Sequence, residues 1–159
     1  TPFGQVPMLE ITTDGKTAKY AQSAAIVRYL ANKFGFYGSC AEDELLIDMV
    51  YELCGDLYQE ASVIRFLTPE AERPAKYKKL SEESVPAKLK IIETFYAKNE
   101  GTFLLGDKLS LADIVLARGT DDFDVDGSVT KTLPNLQKLR TATDEIFKAW
   151  RESRPKTDN

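Results

Sequence analysis

The spacing of apolar positions along this 159-residue chain changes once, near residue 40. Before that point the pattern suits strands. Residues 6–11 and 16–21 are rich in strand formers, and Thr12-Thr13-Asp14-Gly15 between them carries the Asp-Gly signal of a tight turn, so a β-hairpin is predicted. Ser23 then reads as the N-cap of a helix with an apolar stripe of Ala24, Ile26, Val27, Tyr29, Leu30 and Phe34, ended by Gly35 in the C′ position. After the glycine-bracketed linker 35–39 the period is helical throughout. Leu45, Leu46, Met49, Val50, Leu53, Leu57, Tyr58, Ala61 and Ile64 predict one long helix from Glu42 to Leu67, closed by Pro69.

Farther along, Arg73 to Ser84 reads as a charged connector, and Pro86 opens a helix carrying Leu89, Ile92, Phe95 and Tyr96. Ser110-Leu111-Ala112-Asp113 has the form of a capping box that starts a helix reaching Phe123, with Gly119 a weak point inside it. Ser110 and Asp113 are read as structural, satisfying the free N–H groups of that helix end. Asp121 to Ser128 reads as an acidic loop, Pro134 starts a last helix through Trp150, and Arg151 to Asn159 reads as a polar tail. The class is α+β: a hairpin-plus-helix domain over residues 1–36 and an all-helical domain over 42–152. A lone two-stranded hairpin is marginal in water and leaves open edges. With the chain beginning at Thr1 in the approach to a strand, a further strand or two is expected upstream, making this a truncated first domain.

Composition narrows the chemistry. With 21 basic and 25 acidic residues the net charge is −4, and no basic block invites nucleic acid. No apolar run has the length of a membrane span and no signal peptide is visible, so a cytoplasmic protein is expected. Histidine is absent, which removes histidine-based zinc sites and every Ser-His or Cys-His catalytic pair. Cys40 and Cys54 are too far apart for a CxxC motif, which also argues against a thiol-disulfide oxidoreductase; Cys54 is expected to pack as a small hydrophobe. No metal is expected. Asp48, Glu52 and Asp56 recur four residues apart on one helix face, a spacing ordinarily read as a solvated acidic face.

Two short segments suit a peptide-like ligand bearing a carboxylate. Val6, held extended before Pro7, can offer its backbone N–H and C=O as a neighbouring strand would. Gln22-Ser23 stands at a helix start, where free N–H groups cradle an anion. Together Pro2-Phe3-Gly4-Gln5-Val6-Pro7-Met8-Leu9-Glu10, Gln22-Ser23 with Arg28-Tyr29-Leu30, and Ser110-Leu111-Ala112-Asp113 resemble the cytosolic glutathione transferases. The linker and the acidic long helix are similar to the sigma class, which includes the haematopoietic prostaglandin D synthases. The resemblance covers essentially the whole chain.

It implies a partial thioredoxin-like domain joined to an all-α C-terminal domain, with glutathione bound as substrate and a small electrophile as its partner. By motif, Val6 would pair with the cysteinyl part of glutathione in front of a cis Pro7. Gln5 would approach the glycyl end, and Gln22 and Ser23 would hold the γ-glutamyl carboxylate. Asp56 would reach across a homodimer to the neighbouring subunit's ligand. No catalytic residue is assigned, because the tyrosine that activates the thiol in such enzymes would lie before Thr1, and none of the seven tyrosines present matches its motif. Ligand binding with poor conjugation is therefore expected. The alternatives are a non-catalytic, crystallin-like structural relative and a glutathione-dependent prostaglandin isomerase.

Overall fold

The computed structural model describes residues 2–155. Strands β1 (Met8–Thr13) and β2 (Lys16–Ala21) pair antiparallel, with Thr13 opposite Lys16 and Met8 opposite Ala21. The turn between them is Asp14-Gly15, both at positive φ (50° and 74°), the handedness that matches strand twist. Pairing starts at Met8 and not at Val6, since Pro7 has no N–H to give the ladder.

Helix α1 (Ser23–Lys33) follows at once. Its N-cap is Gln22, at φ 76°, whose carbonyl accepts from the Ile26 N–H at 3.0 Å. Ser23 is thus the first helical residue, which corrects its reading as the cap: the chain turns into the helix through the backbone of Gln22, with no capping side chain. The far end closes as the glycine predicted. The Gly35 N–H donates to Asn32 at 3.2 Å and the Phe36 N–H to Ala31 at 2.7 Å, the paired bonds of a Schellman motif. Ile26 and Ala31 are buried, whereas Phe34, placed on the apolar stripe by its spacing, lies in the cap and faces solvent.

Helix α2 (Ala41–Leu67) spans 27 residues. Gly38 ahead of it is obligatory: it sits at φ 82°, and a Cβ there would lie 2.4 Å from that of Asp43. The Asp43 carboxylate accepts from the Ser39 N–H and hydroxyl at 2.9 and 2.8 Å, bonds that hold its pKa below the ordinary value. The buried register of α2 is Ile47, Val50, Cys54, Leu57 and Ile64; Leu45 and Met49 are exposed, contrary to the stripe read from spacing.

The segment read as a charged connector is helical. A 3₁₀ turn at Glu70–Glu72 leads into α3 (Arg73–Lys79), a π turn at Leu80–Ser84 and then α4 (Val85–Tyr96). Pro86 therefore sits inside a continuous helical run, and the wider π turn before it absorbs the missing N–H.

Helices α5 (Leu111–Phe123) and α6 (Pro134–Ser153) complete the domain. The helix through Ser153 takes up the first part of the expected tail; the rest of that tail, from residue 156, lies outside the described residues. Glu93 of α4 caps α6 from a distance, accepting from the Asn135 and Leu136 N–H groups at 3.1 and 3.0 Å. Asp124, buried, does the same for the loop before α6, accepting from the N–H groups of Val129 and Thr130 at 3.0 and 2.7 Å. One core joins α2, α4, α5 and α6, and Ala31 of α1 belongs to it, so the hairpin-plus-helix piece shares the interior of the helical part.

Candidate functional site

The two candidate segments lie at the same end of the hairpin. Met8 and Ala21 form the last pair of the ladder, so Val6-Pro7 leads into it on one strand and Gln22-Ser23 leaves it on the other. The Val6–Pro7 peptide bond is cis. Val6 is 85% exposed, and among the described residues its N–H and C=O enter no backbone hydrogen bond, which leaves both available to an extended ligand. Gln5 and Gln22 are also exposed.

At the start of α1 the carbonyl of Gln22 takes the N–H of Ile26, so the amides of Ser23, Ala24 and Ala25 precede the first intrahelical bond. No acidic side chain stands in that first turn to answer the helix dipole. The contrast with α2 is direct, because Glu42, Asp43 and Glu44 fill its first turn. The opening of α1 is chemically suited to a carboxylate from outside the chain.

Asp56 is placed elsewhere. It lines a cleft with Gln59, Glu60 and Lys88, and the Lys88 ammonium donates to its carboxylate at 3.0 Å. Ser23 opens instead on a cleft of about 530 Å³ bordered by Val27, Tyr51, Gly55 and Tyr58. Within one chain the structure therefore brings Gln5, Val6, Pro7, Gln22 and Ser23 to one end of the hairpin and leaves Asp56 apart from them. Nor is the acidic face of α2 simply solvated. Arg28 of α1 binds both oxygens of Asp48 through Nε at 2.9 and 3.1 Å and reaches Glu52 with its terminal nitrogen. Asp48, then Glu52, raises the guanidinium's pKa. The sequence shows Arg28 only as part of a motif; its ion pairs were not legible there, because the partners lie 20 and 24 residues away.

Ser110 and Asp113 form a reciprocal capping box at the head of α5. Asp113 is wholly buried and its carboxylate accepts four bonds: from the Ser110 N–H (2.7 Å) and hydroxyl (2.6 Å), the Leu104 N–H (2.9 Å) and the Tyr96 hydroxyl (2.8 Å). Burial lifts its pKa, and these bonds draw it part of the way back. Tyr58, which borders the Ser23 cleft, donates to Asp122 at 2.8 Å; burial, then that bond, raises its pKa, so its hydroxyl keeps its proton. Among the described residues no group of three or more His, Cys, Asp or Glu is placed to hold a metal ion, and no helix is long and apolar enough to cross a membrane.

Comparison with known proteins identifies the family and the fold. Residues 55–154 match the family model described as the glutathione S-transferase C-terminal domain. Glutathione S-transferase 2 of Manduca sexta is 37% identical over 115 residues, covering 72% of this chain and 54% of the relative, so the chain spans about half the length of that protein. A sigma class transferase of Fasciola hepatica superimposes with a TM-score of 0.80 at 30% identity, covering 99% of this chain and 77% of that one. Prostaglandin synthase D of Nilaparvata lugens gives the same TM-score at 29% identity, covering 99% and 78%.

Proposed function

Because this chain belongs to the glutathione S-transferase family, we propose that its hairpin end binds glutathione, in the manner of the sigma class, for attack on a small electrophile. The observation that carries the reading is the meeting of Val6-Pro7 and Gln22-Ser23 at the Met8–Ala21 end of the strand pair, with unspent hydrogen-bonding groups on both segments. Val6 pairs its backbone with the cysteinyl residue, as an added strand would. Gln5 approaches the glycyl end. The first-turn amides of α1, with the Ser23 hydroxyl and the Gln22 side chain, hold the γ-glutamyl carboxylate. Residues 1–36 supply this binding side, and 42–152 form the helical domain behind it.

In the reaction, the glutathione sulfur as thiolate forms a bond to an electrophilic carbon, and a leaving group departs with the electron pair of its own bond. For an activated alkene, the adjacent carbon takes up a proton instead. The thiolate is the competent form, so a group that lowers the thiol pKa is needed. No tyrosine in 1–159 carries the motif for that role, and we assign it to none of them. A homodimer in the cytoplasm is part of the same reading. In this reading Asp56, 54% exposed and outside its own chain's Ser23 cleft, serves a neighbouring subunit's ligand. The likeness to the Nilaparvata synthase favours a second reading, a glutathione-dependent isomerisation of a prostaglandin-type endoperoxide, which needs the same binding residues.

Titration calorimetry with glutathione tests the proposal. Ser23→Ala and Gln22→Ala are each expected to weaken binding by roughly 1.5–3 kcal/mol, the worth of a charge-assisted hydrogen bond. Unchanged affinity in both variants would remove the assignment.

A further inference from the structure

Among the described residues Arg28 is the one side chain of α1 that hydrogen-bonds the acidic face of α2, and its place along the helix gives that grip a consequence for the ligand. The C-terminal end of α1 is held twice over: Ala31 is in the core, and the Phe36 carbonyl accepts from the Leu111 N–H at 2.8 Å. The N-terminal turn is different. Ser23 and Val27 border an open cleft of about 530 Å³ that Tyr51, Gly55 and Tyr58 of α2 also line; Val27 packs against the core, whereas Ser23 is exposed and has no such anchor. Arg28 follows Val27 on α1 and reaches across to α2 beside Tyr51. Its Nε binds Asp48 at 2.9 and 3.1 Å, its terminal nitrogen binds Glu52, and its guanidinium carbon lies 4.8 Å from the Tyr51 ring centroid. Three contacts on a planar group, from residues one turn apart on α2, restrain the rotation of α1 as well as its distance.

We propose that Arg28 is a positioning residue for the γ-glutamyl end of glutathione: by locking α1 to Asp48, Glu52 and Tyr51 it sets where the open amides of Ser23–Ala25 point. This rests on the glutathione-binding reading above. A rotation of α1 moves those amides relative to Val6, which leads into β1, and the two ends of the tripeptide can no longer be met together. The side chain touches no ligand itself. Its effect is confined to a ligand that uses both elements at once.

The test compares glutathione with cysteinylglycine, which lacks the γ-glutamyl group, on the whole chain. Binding is measured by calorimetry for wild type, Arg28→Ala, Arg28→Lys and Asp48→Asn, with urea unfolding of each in parallel. Arg28→Ala is expected to weaken glutathione on the order of tenfold and Arg28→Lys about threefold, since an ammonium keeps charge but loses the planar, multi-point grip. Asp48→Asn should follow Arg28→Ala, while cysteinylglycine binding stays within about twofold in all variants. Equal losses for both ligands would mean a merely structural role and overturn the proposal, as would wild-type glutathione affinity in Arg28→Ala. If Arg28→Ala does not fold, Arg28→Lys and Asp48→Asn decide by the same criteria. Failure of the wild type itself to bind glutathione would instead refute the functional reading, and the positioning role with it.

Discussion

Replacing Asp113 by alanine should be among the most damaging single changes in this chain, and the size follows from counting donors. The carboxylate is 0% exposed and accepts from the N–H groups of Leu104 and Ser110 and the hydroxyls of Ser110 and Tyr96. Alanine leaves four buried donors without an acceptor; at about 1 kcal/mol for each, the lower end for such groups, the cost is about 4 kcal/mol. Asparagine keeps one oxygen for Tyr96 and Leu104 but turns an NH₂ against the two Ser110 donors, so about half of that, ~2 kcal/mol, is expected. Tyr96→Phe removes one donor and leaves the carboxylate three, for about 1 kcal/mol. Urea unfolding followed by far-UV circular dichroism reads the series. With a slope of about 2 kcal/mol per molar, the midpoints should fall by about 2, 1 and 0.5 M, with the slope itself unchanged. Loss of amide-exchange protection at Leu104 should accompany both Asp113 variants. An alanine variant within 1 kcal/mol of wild type, or an asparagine variant as unstable as the alanine one, would refute the donor count.

Other consequences are smaller and equally direct. Gly119→Ala in α5 places a Cβ with nothing within 4 Å, so the helix-propensity gain of about 0.8–1 kcal/mol should appear as added stability in the same urea assay. The two thiols should separate cleanly. Cys40 is exposed, while Cys54 is buried with its pKa pushed up to about 12, so one equivalent of a disulfide reagent should react at pH 8 in native protein and two after unfolding. The unfolded chain releases the Cys54 proton near its ordinary 9.0 and the native chain only near 12, so this stability is whole below pH 9 and lost as pH rises towards 12. The alkaline loss should be reduced in Cys54→Ala.

What could be read from the sequence was what local chemistry dictates. Asp14-Gly15 placed the hairpin turn, Gly35 the end of α1, Pro69 the end of α2 and Ser110-x-x-Asp113 the start of α5, because each acts on backbone within a few residues of itself. The helical nature of residues 70–84 was hidden for the converse reason: Leu80 is the one buried side chain in that stretch, which leaves no apolar period to see. The positive φ of Gln22 carries no residue signal, and serine beside it imitates a cap. The site divides in the same way. Its segments are recognisable as motifs, but their meeting at one end of the hairpin depends on the Met8–Ala21 register, and the partners of Arg28 and Asp56 lie 20 to 32 residues distant.

The disposition of carboxylates links the fold to the site. Nearly every helix start in this chain is answered by an acid of its own or of a neighbour: Glu42, Asp43 and Glu44 at α2, Glu70 and Glu72 ahead of α3, Asp113 at α5, and Glu93 reaching from α4 to α6. Helix α4 continues from the π turn and has no free start to answer. Among the described residues α1 is the exception, and its first turn follows β2 at the same end of the hairpin where Val6 leads into β1. A carboxylate near a helix start gains about 0.3–1 kcal/mol at an exposed position and up to about 2 where partly buried. In a chain that carries 25 acidic residues and a net charge of −4, leaving that gain unclaimed at α1 suits a site whose acid arrives with the ligand.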